Sequence, residues 1–425
     1  MSMVKQLLEK NDQLSGWRIN ETATKSYELF FVHERLETVR ATDTVTTGVT
    51  VYVDHDGKKG DSSFELSAAM SEADVQRKID AAVRRAKLVF NEPYELPDGE
   101  ELDRDMPSNV WFADPKVLGA RIAEAVFAAD TVPGGSINAC EIFLYKDTIR
   151  VLNSRGINKT MRRGRVMIEA IPTFTEGEES VELYEDHRFM EFDPAKVTAE
   201  IARRMAEARD RFQAKKPVTP LEINVLLRSE EILDLLWEMT DDLNYGTAYV
   251  HANLHEIGDD LQENGSGDKL TVTMRAQTPG SEKSSWFDSE GSALVDTCVI
   301  ENGVVKARFG SSRFGQYMGV EQPTGNLPCV KAEAGTKTEA ELKQSPYLEC
   351  ASLSGLQLDL FNDYIGGEIR LAYYFDGEKT VPVTGITMSG KLSDALANMR
   401  LSRETVTDGP YEGPALMLLP GMKVL

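Results

Sequence analysis

The chain has 425 residues, of which 41% are hydrophobic and 27% charged, so it is long enough for two or three globular domains. Acidic residues outnumber basic residues by 69 to 47, and the resulting net charge of -22 disfavours direct binding to a nucleic-acid backbone. No stretch approaches the roughly 18 apolar residues of a membrane span, and the first residues lack the apolar run of a signal peptide. The four cysteines are widely spaced, with no CxxC pair, which predicts a reducing, cytoplasmic location.

The first half of the sequence is predicted to contain two copies of one unit, a β-meander followed by a helix. The copies cover residues 20–90 and 138–213, and their openings, "YELFFV" and "CEIFLY", are alike. Apolar spacing and capping residues predict the helices 4–14, 72–90 (N-cap Ser71), 115–129 (N-cap Asp114) and one that begins at Pro194 (N-cap Asp193). Phe90 is predicted to close the buried stripe of the second helix. The basic run "KTMRRGR" at 159–165 is predicted to be a solvated strand face.

A connector rich in lysine and proline, "QAKKPVTP", predicts a boundary between two domains. The N-terminal domain would cover residues 1–217, and the C-terminal domain residues 218–425. The second half begins with the buried strand "EINVLL" and a helix at 230–243. It then alternates strands with glycine-rich turns, apart from one helix at 391–399. The predicted fold class is α+β, with a strand-dominated C-terminal domain.

His251 and His255 raise the question of a metal site, because histidines four residues apart share one face of a helix. Their segment, "NYGTAYVHANLHEIGDD", contains glycine, asparagine and β-branched residues and has no helical apolar stripe. In an extended chain the two side chains would lie about 13 Å apart, too far for one ion. No cysteine lies nearby to add a third ligand. We therefore expect loop histidines and no zinc.

Two glycine-containing turns carry further polar candidates. In "FDSEG", Asp288 and Glu290 form a carboxylate pair suited to acid–base or cation chemistry, or only a polar turn closed by Gly291. In "QPTGN", Gly325 lies between Thr324 and Asn326, so another backbone would be able to approach closely. Neither a phosphate-binding GxxxxGK[ST] loop nor a GxSxG nucleophile turn is present.

The order of several phrases resembles the TldD/PmbA family. They are "FDSEG", then "VIENGVVKARFGSSRFGQYMGVEQPTGN", "PVTGITMSG" and the closing "GPALMLLPGMKVL". In the first half, "ETVRATDTVTTGVTVYV", "SEADVQRKIDAAVRRAK" and "VLNSRG" agree with the same family. The resemblance implies a two-domain cytoplasmic protein that dimerises and belongs to a peptidase system. Members of the family were once described as modulators of DNA gyrase.

The resemblance also implies where a zinc site would lie. Catalytic TldD-like members carry HExxxH on the helix after the first strand of the C-terminal domain, with a cysteine near the chain end as third ligand. At these positions this chain has Trp237, Glu238 and Asp242, and its terminal segment "ETVTDGPYEGPALML" has no cysteine. Glu238 is either a remnant of the ancestral base or an ordinary polar position beside the buried Leu235 and Met239. The chain thus resembles the metal-free, PmbA-like type, and no cofactor is expected.

These observations favour a metal-free subunit that binds unfolded peptides. It would form a homodimer, or a heterodimer with a zinc-bearing TldD-like paralogue. One alternative is an active peptidase with a non-standard site built from Glu238, Asp288 and Glu290. Another is an interaction protein that modulates a DNA enzyme such as gyrase. An extended peptide would add as a strand near the two turns, at Asp288, Glu290, Gly291, Thr324, Gly325 and Asn326. The alternative is that these residues only shape the turns.

Overall fold

Two long antiparallel strand pairs build one sheet in the N-terminal part of the chain. The computed structural model of the protein describes residues 2–67 and 69–425. In chain order this part contains α1 (Ser2–Glu9), β1 (Gly16–Val32), β2 (Arg35–His55), β3 (Lys58–Leu66), α2 (Glu72–Ala86), β4 (Glu101–Asp105), α3 (Pro115–Phe127), β5 (Gly135–Asn153), β6 (Asn158–Glu176), β7 (Glu179–Glu182), β8 (Glu185–Phe189) and α4 (Pro194–Gln213). The strand order is β3-β2-β1-β5-β6-β4, and β7 and β8 also pair with β6.

The two predicted copies meet along the middle of this sheet. Each copy contributes a hairpin, a further antiparallel strand and a helix: β1, β2, β3 and α2 in the first, and β5, β6, β8 and α4 in the second. The copies join where β1 and β5 pair antiparallel over fifteen registered positions, from Arg18 opposite Asn153 to Val32 opposite Ala139. The repeat in the sequence thus becomes a single continuous sheet.

The helices with predicted N-caps begin where those residues predict, but α1 ends at Glu9 instead of residue 14, and α2 also ends early. Ser71 and Asp74 form the predicted capping box, and the buried stripe from Val75 to Ala86 is present. After Ala86 the chain pairs through Asn91 with Lys59 of β3, so the helix cannot continue to residue 90. The prediction for Phe90 is therefore wrong, since that side chain is 59% exposed.

The basic run at 159–165 is not a solvated face. Lys159 is buried, and its Nζ lies 2.6 Å from the carboxylate of Glu100. Arg163 and Arg165 both reach Asp147 Oδ2, at 3.3 and 2.8 Å. Neighbouring strands supply a carboxylate to each of these cations, so the run is neutralised within the sheet.

The C-terminal part consists of two sheets around the largest apolar core of the described residues. Its elements are β9 (Leu221–Leu227), α5 (Ser229–Asp241), α6 (Tyr245–Tyr249), β10 (Val272–Arg275), β11 (Thr297–Glu301), β12 (Val304–Val305), α7 (Ser312–Tyr317), β13 (Cys329–Ala332), α8 (Glu339–Leu342), β14 (Tyr347–Asp359), β15 (Tyr364–Phe375), β16 (Thr380–Val383), β17 (Ile386–Lys391), α9 (Leu392–Asn398), β18 (Arg400–Leu401), β19 (Thr405–Asp408), β20 (Tyr411–Pro414) and β21 (Met417–Val424). One sheet has the order β12-β11-β10-β13-β20-β19, and the other β14-β9-β21-β17-β15-β16.

This arrangement confirms the predicted α+β class with a strand-dominated second part. The predicted helices at 230–243 and 391–399 are α5 and α9, each within two residues of its expected ends. No helix in the described residues is both long and apolar enough to cross a membrane. The position of the domain boundary, between residues 217 and 218, stays a prediction.

Candidate functional site

Helix α5 carries the positions that the resemblance assigned to a zinc site. Its apolar face points into the core, with Leu235, Leu236 and Met239 at most 5% exposed. Glu238 is exposed on the other face, and Trp237 is half-buried against the edge of the core. Glu238 therefore occupies an ordinary polar position of an amphipathic helix.

Asp242 ends this helix and holds the segment that follows. Its side chain is 3% exposed. Oδ1 accepts the Leu254 N–H at 2.5 Å, while Oδ2 accepts the His255 N–H at 3.0 Å and lies 3.0 Å from His255 Nδ1. Burial alone would raise the pKa of Asp242, but these hydrogen bonds outweigh it and lower the pKa. Both carboxylate oxygens are thus committed to the chain itself.

The two histidines lie in a loop, as expected, and they have separate environments. We call residues 251–259 the histidine loop. It follows the short helix α6, and His251 is exposed with a left-handed backbone (φ +57°). His255 is held from several sides, because its carbonyl also accepts the Asn253 amide at 2.9 Å and Arg308 Nη2 at 3.2 Å. The loop therefore orients one imidazole and leaves the other in solvent.

Arg308 is the second anchor of the histidine loop. Its side chain is 5% exposed, and Nη2 lies 2.7 Å from Glu256 Oε2. Hydrogen bonds from Asn253 and from Arg308 lower the pKa of Glu256. Sequence reasoning missed Arg308, because only the fold brings it beside the loop. A lone arginine in the sequence gives no local signal of such a contact.

A small cavity lies beside α5 and the histidine loop. Its volume is about 210 Å³. It is lined by Met239, Leu243, Leu254, His255, Leu261, Leu360, Asp363, Leu392, Ser393 and Leu396. Most of the wall is aliphatic. Asp363 turns its carboxylate to α9, accepting the Ser393 N–H and hydroxyl at 2.7 Å each. His255 adds an imidazole to a wall whose other two polar residues, Asp363 and Ser393, bond to each other.

The residues at the zinc positions do not fit a zinc ion. Such a site needs about three nitrogen, sulfur or oxygen ligands with free lone pairs. Trp237 offers none, and both oxygens of Asp242 already accept hydrogen bonds from the histidine loop. Within residues 2–67 and 69–425, no group of three His, Cys, Asp or Glu side chains is placed to hold a metal ion. The family's metal chemistry therefore has no counterpart in the side chains at these positions.

The second candidate region is the turn at 287–291, and here Asp288 binds its own backbone. Asp288 Oδ1 accepts the N–H groups of Glu290 and Ser292 at 2.9 and 3.0 Å. Oδ2 accepts the Asn326 N–H at 3.1 Å, so the two turns lie side by side. Asp288 is 9% exposed and acts as a clasp between them.

The glycines and the threonine of these turns pack against this chain. Gly291 has φ +83°, and a Cβ there would lie 2.7 Å from Ile157 of the N-terminal part. At Gly325, with φ +75°, a Cβ would lie 2.8 Å from the Ala293 carbonyl oxygen. The buried hydroxyl of Thr324 accepts the Gly310 N–H at 3.1 Å. The close approach expected at both glycines thus occurs, and the partner is the protein's own backbone and side chains.

Glu290 and Asn326 each have a side-chain group that does not hold the turns together. Burial and the neighbouring Asp288 raise the pKa of Glu290, and Arg18 offsets this only in part from 3.8 Å. Its Oε2 is buried without a hydrogen-bond partner among the described residues. Asn326 is exposed. Of the six residues nominated from the two turns, Asn326 is the exposed one, and Glu290 is half-buried.

The C-terminal part of the chain matches a known family model. Residues 221–425, which form the two C-terminal sheets, match the model of the PmbA/TldA metallopeptidase C-terminal domain. This part of the chain belongs to the TldD/PmbA family. The recognition of that family from the sequence phrases is confirmed. A search of curated proteins found no relative of the chain.

Solved structures extend the likeness to the N-terminal part. A Thermotoga maritima protein described as a candidate modulator of a DNA gyrase is 17% identical, with a TM-score of 0.80 and 100% of this chain and 99% of that chain covered. TldE from Thermococcus kodakarensis is 13% identical, with a TM-score of 0.79 and 100% of both chains covered. A Bacteroides thetaiotaomicron protein, also described as a candidate gyrase modulator, is 15% identical, with a TM-score of 0.77 and 100% and 97% covered. At these identities the likeness shows a common fold.

Proposed function

We propose that this protein is a peptide-binding subunit of a TldD/PmbA-type peptidase system and has no zinc ion of its own. The observation that carries the proposal is the state of Asp242, the one oxygen ligand left at the two histidine positions of the family motif. It is buried, and it uses both oxygens to hold the histidine loop. A carboxylate that has become a structural anchor is not available to activate water on a metal.

The proposed partner is a zinc-bearing TldD-like paralogue in the cytoplasm, with a homodimer as the alternative assembly. Membership of the family in the C-terminal part and the fold shared with TldE support this role. The net charge of -22 suits contact with a basic protein surface better than contact with DNA.

An unfolded peptide is the proposed ligand, bound near the turns at 287–291 and 322–326. The exposed amide of Asn326 supports this location, and Asp288 and Glu290 add carboxylates in the neighbouring turn. An amide can pair with the N–H and C=O of a peptide backbone, and a carboxylate favours basic peptides. Asp288, Gly291, Thr324 and Gly325 would support this surface from beneath.

The experiment measures zinc content and cleavage of a labelled unfolded peptide by three samples. They are this protein alone, a TldD-like paralogue with an intact HExxxH motif alone, and the two mixed. We expect far less than one zinc per chain in this protein and no cleavage by it alone. The mixture should cleave faster than the paralogue, and Asn326→Ala should reduce peptide affinity.

Two outcomes would contradict the proposal. Stoichiometric zinc with cleavage by this protein alone would favour an active metallopeptidase with a non-standard site. Failure of this protein to bind an unfolded peptide, either alone or in the mixture, would remove the peptide-binding role. Glu238→Gln is the control variant, because Glu238 is exposed and, unlike Asp242, does not hold the histidine loop. It should change neither the zinc content nor the cleavage rate.

A further inference from the structure

The cavity beside the histidine loop combines an apolar wall with an oriented imidazole. Seven of its ten lining residues are leucine or methionine, and His255 is one of the other three. The cavity communicates with solvent, since Leu254 is 42% exposed and the His255 side chain 29% exposed. It is therefore accessible without unfolding the loop.

The hydrogen bonds around His255 define which ring nitrogen a ligand can use. Both Asp242 oxygens accept N–H groups of the loop, so the 3.0 Å contact assigns the donor role to His255 Nδ1. In the neutral imidazole Nε2 then has a lone pair and accepts a hydrogen bond. No group among the described residues bonds to Nε2. An Asp–His pair with a fixed ring and a free Nε2 is thus available at the cavity.

The size and chemistry of the cavity select the ligand. A volume of about 210 Å³ is below that of sites for drug-sized molecules, and apolar cavities of roughly 150 Å³ accept a benzene ring. One large apolar side chain therefore fits. A peptide that places such a side chain in the cavity also carries backbone N–H groups, which are the donors that Nε2 lacks.

We infer that this cavity binds a single large apolar side chain, such as leucine or phenylalanine, of an unfolded peptide whose N–H donates to His255 Nε2. The inference rests on the proposed peptide-binding function and adds a specificity pocket to it. Asp242 is then a positioning residue, since it sets the ring and its tautomer without touching the peptide. The pocket lies on the helix that carried the family's metal motif but uses none of the metal chemistry.

The experiment compares two unfolded peptides, one containing a single leucine and its Leu-to-Ala counterpart, and a small probe, N-acetyl-leucinamide, followed by saturation-transfer NMR. In the wild type, removing the leucine should weaken peptide binding about tenfold or more, as deletion of several buried carbons does. The probe should bind saturably, and N-acetyl-alaninamide should not.

Two variants test the two halves of the pocket. Leu254→Trp fills the mouth from an exposed position, and its control is Leu88→Trp, because Leu88 is 78% exposed in the other part of the chain. His255→Asn keeps a side-chain N–H toward Asp242 but removes Nε2. We expect Leu254→Trp and His255→Asn each to lose about tenfold in affinity for the leucine peptide, and Leu88→Trp to match the wild type.

The outcomes separate this inference from the proposed function. If both peptides bind equally well, or the two variants bind like the wild type, the pocket inference fails while peptide binding stands. If neither peptide binds but the probe does, and Leu254→Trp abolishes probe binding, the pocket stands and the proposed function fails. If neither peptide nor probe binds, both fail.

Discussion

The histidine loop and the turn at 287–291 use buried carboxylates in opposite ways. In the loop, Asp242 satisfies two backbone N–H groups and one imidazole, and it leaves a ring nitrogen of His255 free at a cavity. In the turn, Asp288 satisfies three backbone N–H groups and joins two turns, while Glu290 remains short of partners. The first region holds an imidazole in a fixed orientation at a cavity, and the second joins two turns at the proposed peptide site.

The difference shows why a pair of acidic residues is weak evidence for catalysis. Asp288 and Glu290 stand two residues apart and look equivalent in the sequence. In the structure the first has its hydrogen-bonding capacity filled by backbone, and the second has a raised pKa from burial. Function depends on which polar atoms remain free after the fold has used the others.

The largest expected effect is on the free energy of unfolding. It distinguishes Gly291, which is packed against other residues, from Gly258, which has open space around it. Gly291→Ala should lower the free energy of unfolding by about 3 kcal/mol or more, because it combines a positive φ with a clash against Ile157. The matched control is Gly258→Ala in the histidine loop, where φ is +103° but no atom lies within 4 Å of the added Cβ. This control should cost only about 1 kcal/mol.

Urea unfolding monitored by fluorescence gives both values. Equal losses for the two glycine variants would mean that the turn does not pack tightly on the N-terminal part. Gly291 would then be no more tightly packed than Gly258 in the histidine loop.

Removal of the Asp242 carboxylate should have the next largest effect. Asp242→Ala leaves the N–H groups of Leu254 and His255 without acceptors, and we expect a loss of about 2 to 3 kcal/mol. Glu238→Ala, one turn earlier on the exposed face, should stay within about 0.5 kcal/mol of the wild type. Amide hydrogen exchange should accelerate at residues 254 and 255 in the first variant only. Unchanged protection there would show that Asp242 does not anchor the loop.

Substitution of Asp288 should cost less stability than removal of the Asp242 carboxylate. Asp288→Asn keeps one acceptor oxygen, so about one N–H contact is lost, at a cost of roughly 1 kcal/mol. We expect reduced affinity for basic peptides and unchanged affinity for neutral ones, measured by fluorescence anisotropy. A uniform loss for all peptides would instead indicate that the turn itself has rearranged.

The smallest effect is a pair of opposite pH dependences. The pKa of Asp242 lies below the ordinary 3.8, so its contribution to stability is complete above that pH and is lost as the pH falls through the lowered pKa. The pKa of Glu290 lies above the ordinary 4.5, so its ionisation costs stability as the pH rises from 4.5 towards the raised pKa.

Melting temperatures across this pH range should separate the two carboxylates. Asp242→Asn should reduce the loss of stability on the acid side, and Glu290→Gln should reduce the decline above pH 4.5. If Glu290→Gln leaves the slope above that pH unchanged, Glu290 is better solvated than its surroundings indicate.

Much of the candidate site was predictable, because residue identity alone carried it. The loss of ligands at Trp237 and Asp242 and the loop character of His251 and His255 followed from the sequence. The pairing of Asp242 with His255 did not follow from the sequence, because the two residues are thirteen positions apart. No local pattern predicts that the histidine loop will contact the end of α5, or that Arg308 will bind the loop.

The sequence by itself determined the features that depend on neighbours along the chain. The capping box of Ser71 and Asp74, the buried face of α5 and the strand-rich second half belong to this class, because hydrogen bonds and periodicity within a few residues specify them. Tertiary structure alone decided where α2 ends, which side chain lies against Gly291 and which polar atoms stay free at His255 and Glu290. Those outcomes depend on residues distant in the sequence competing for the same hydrogen bonds and the same space, and that competition exists only in the folded chain.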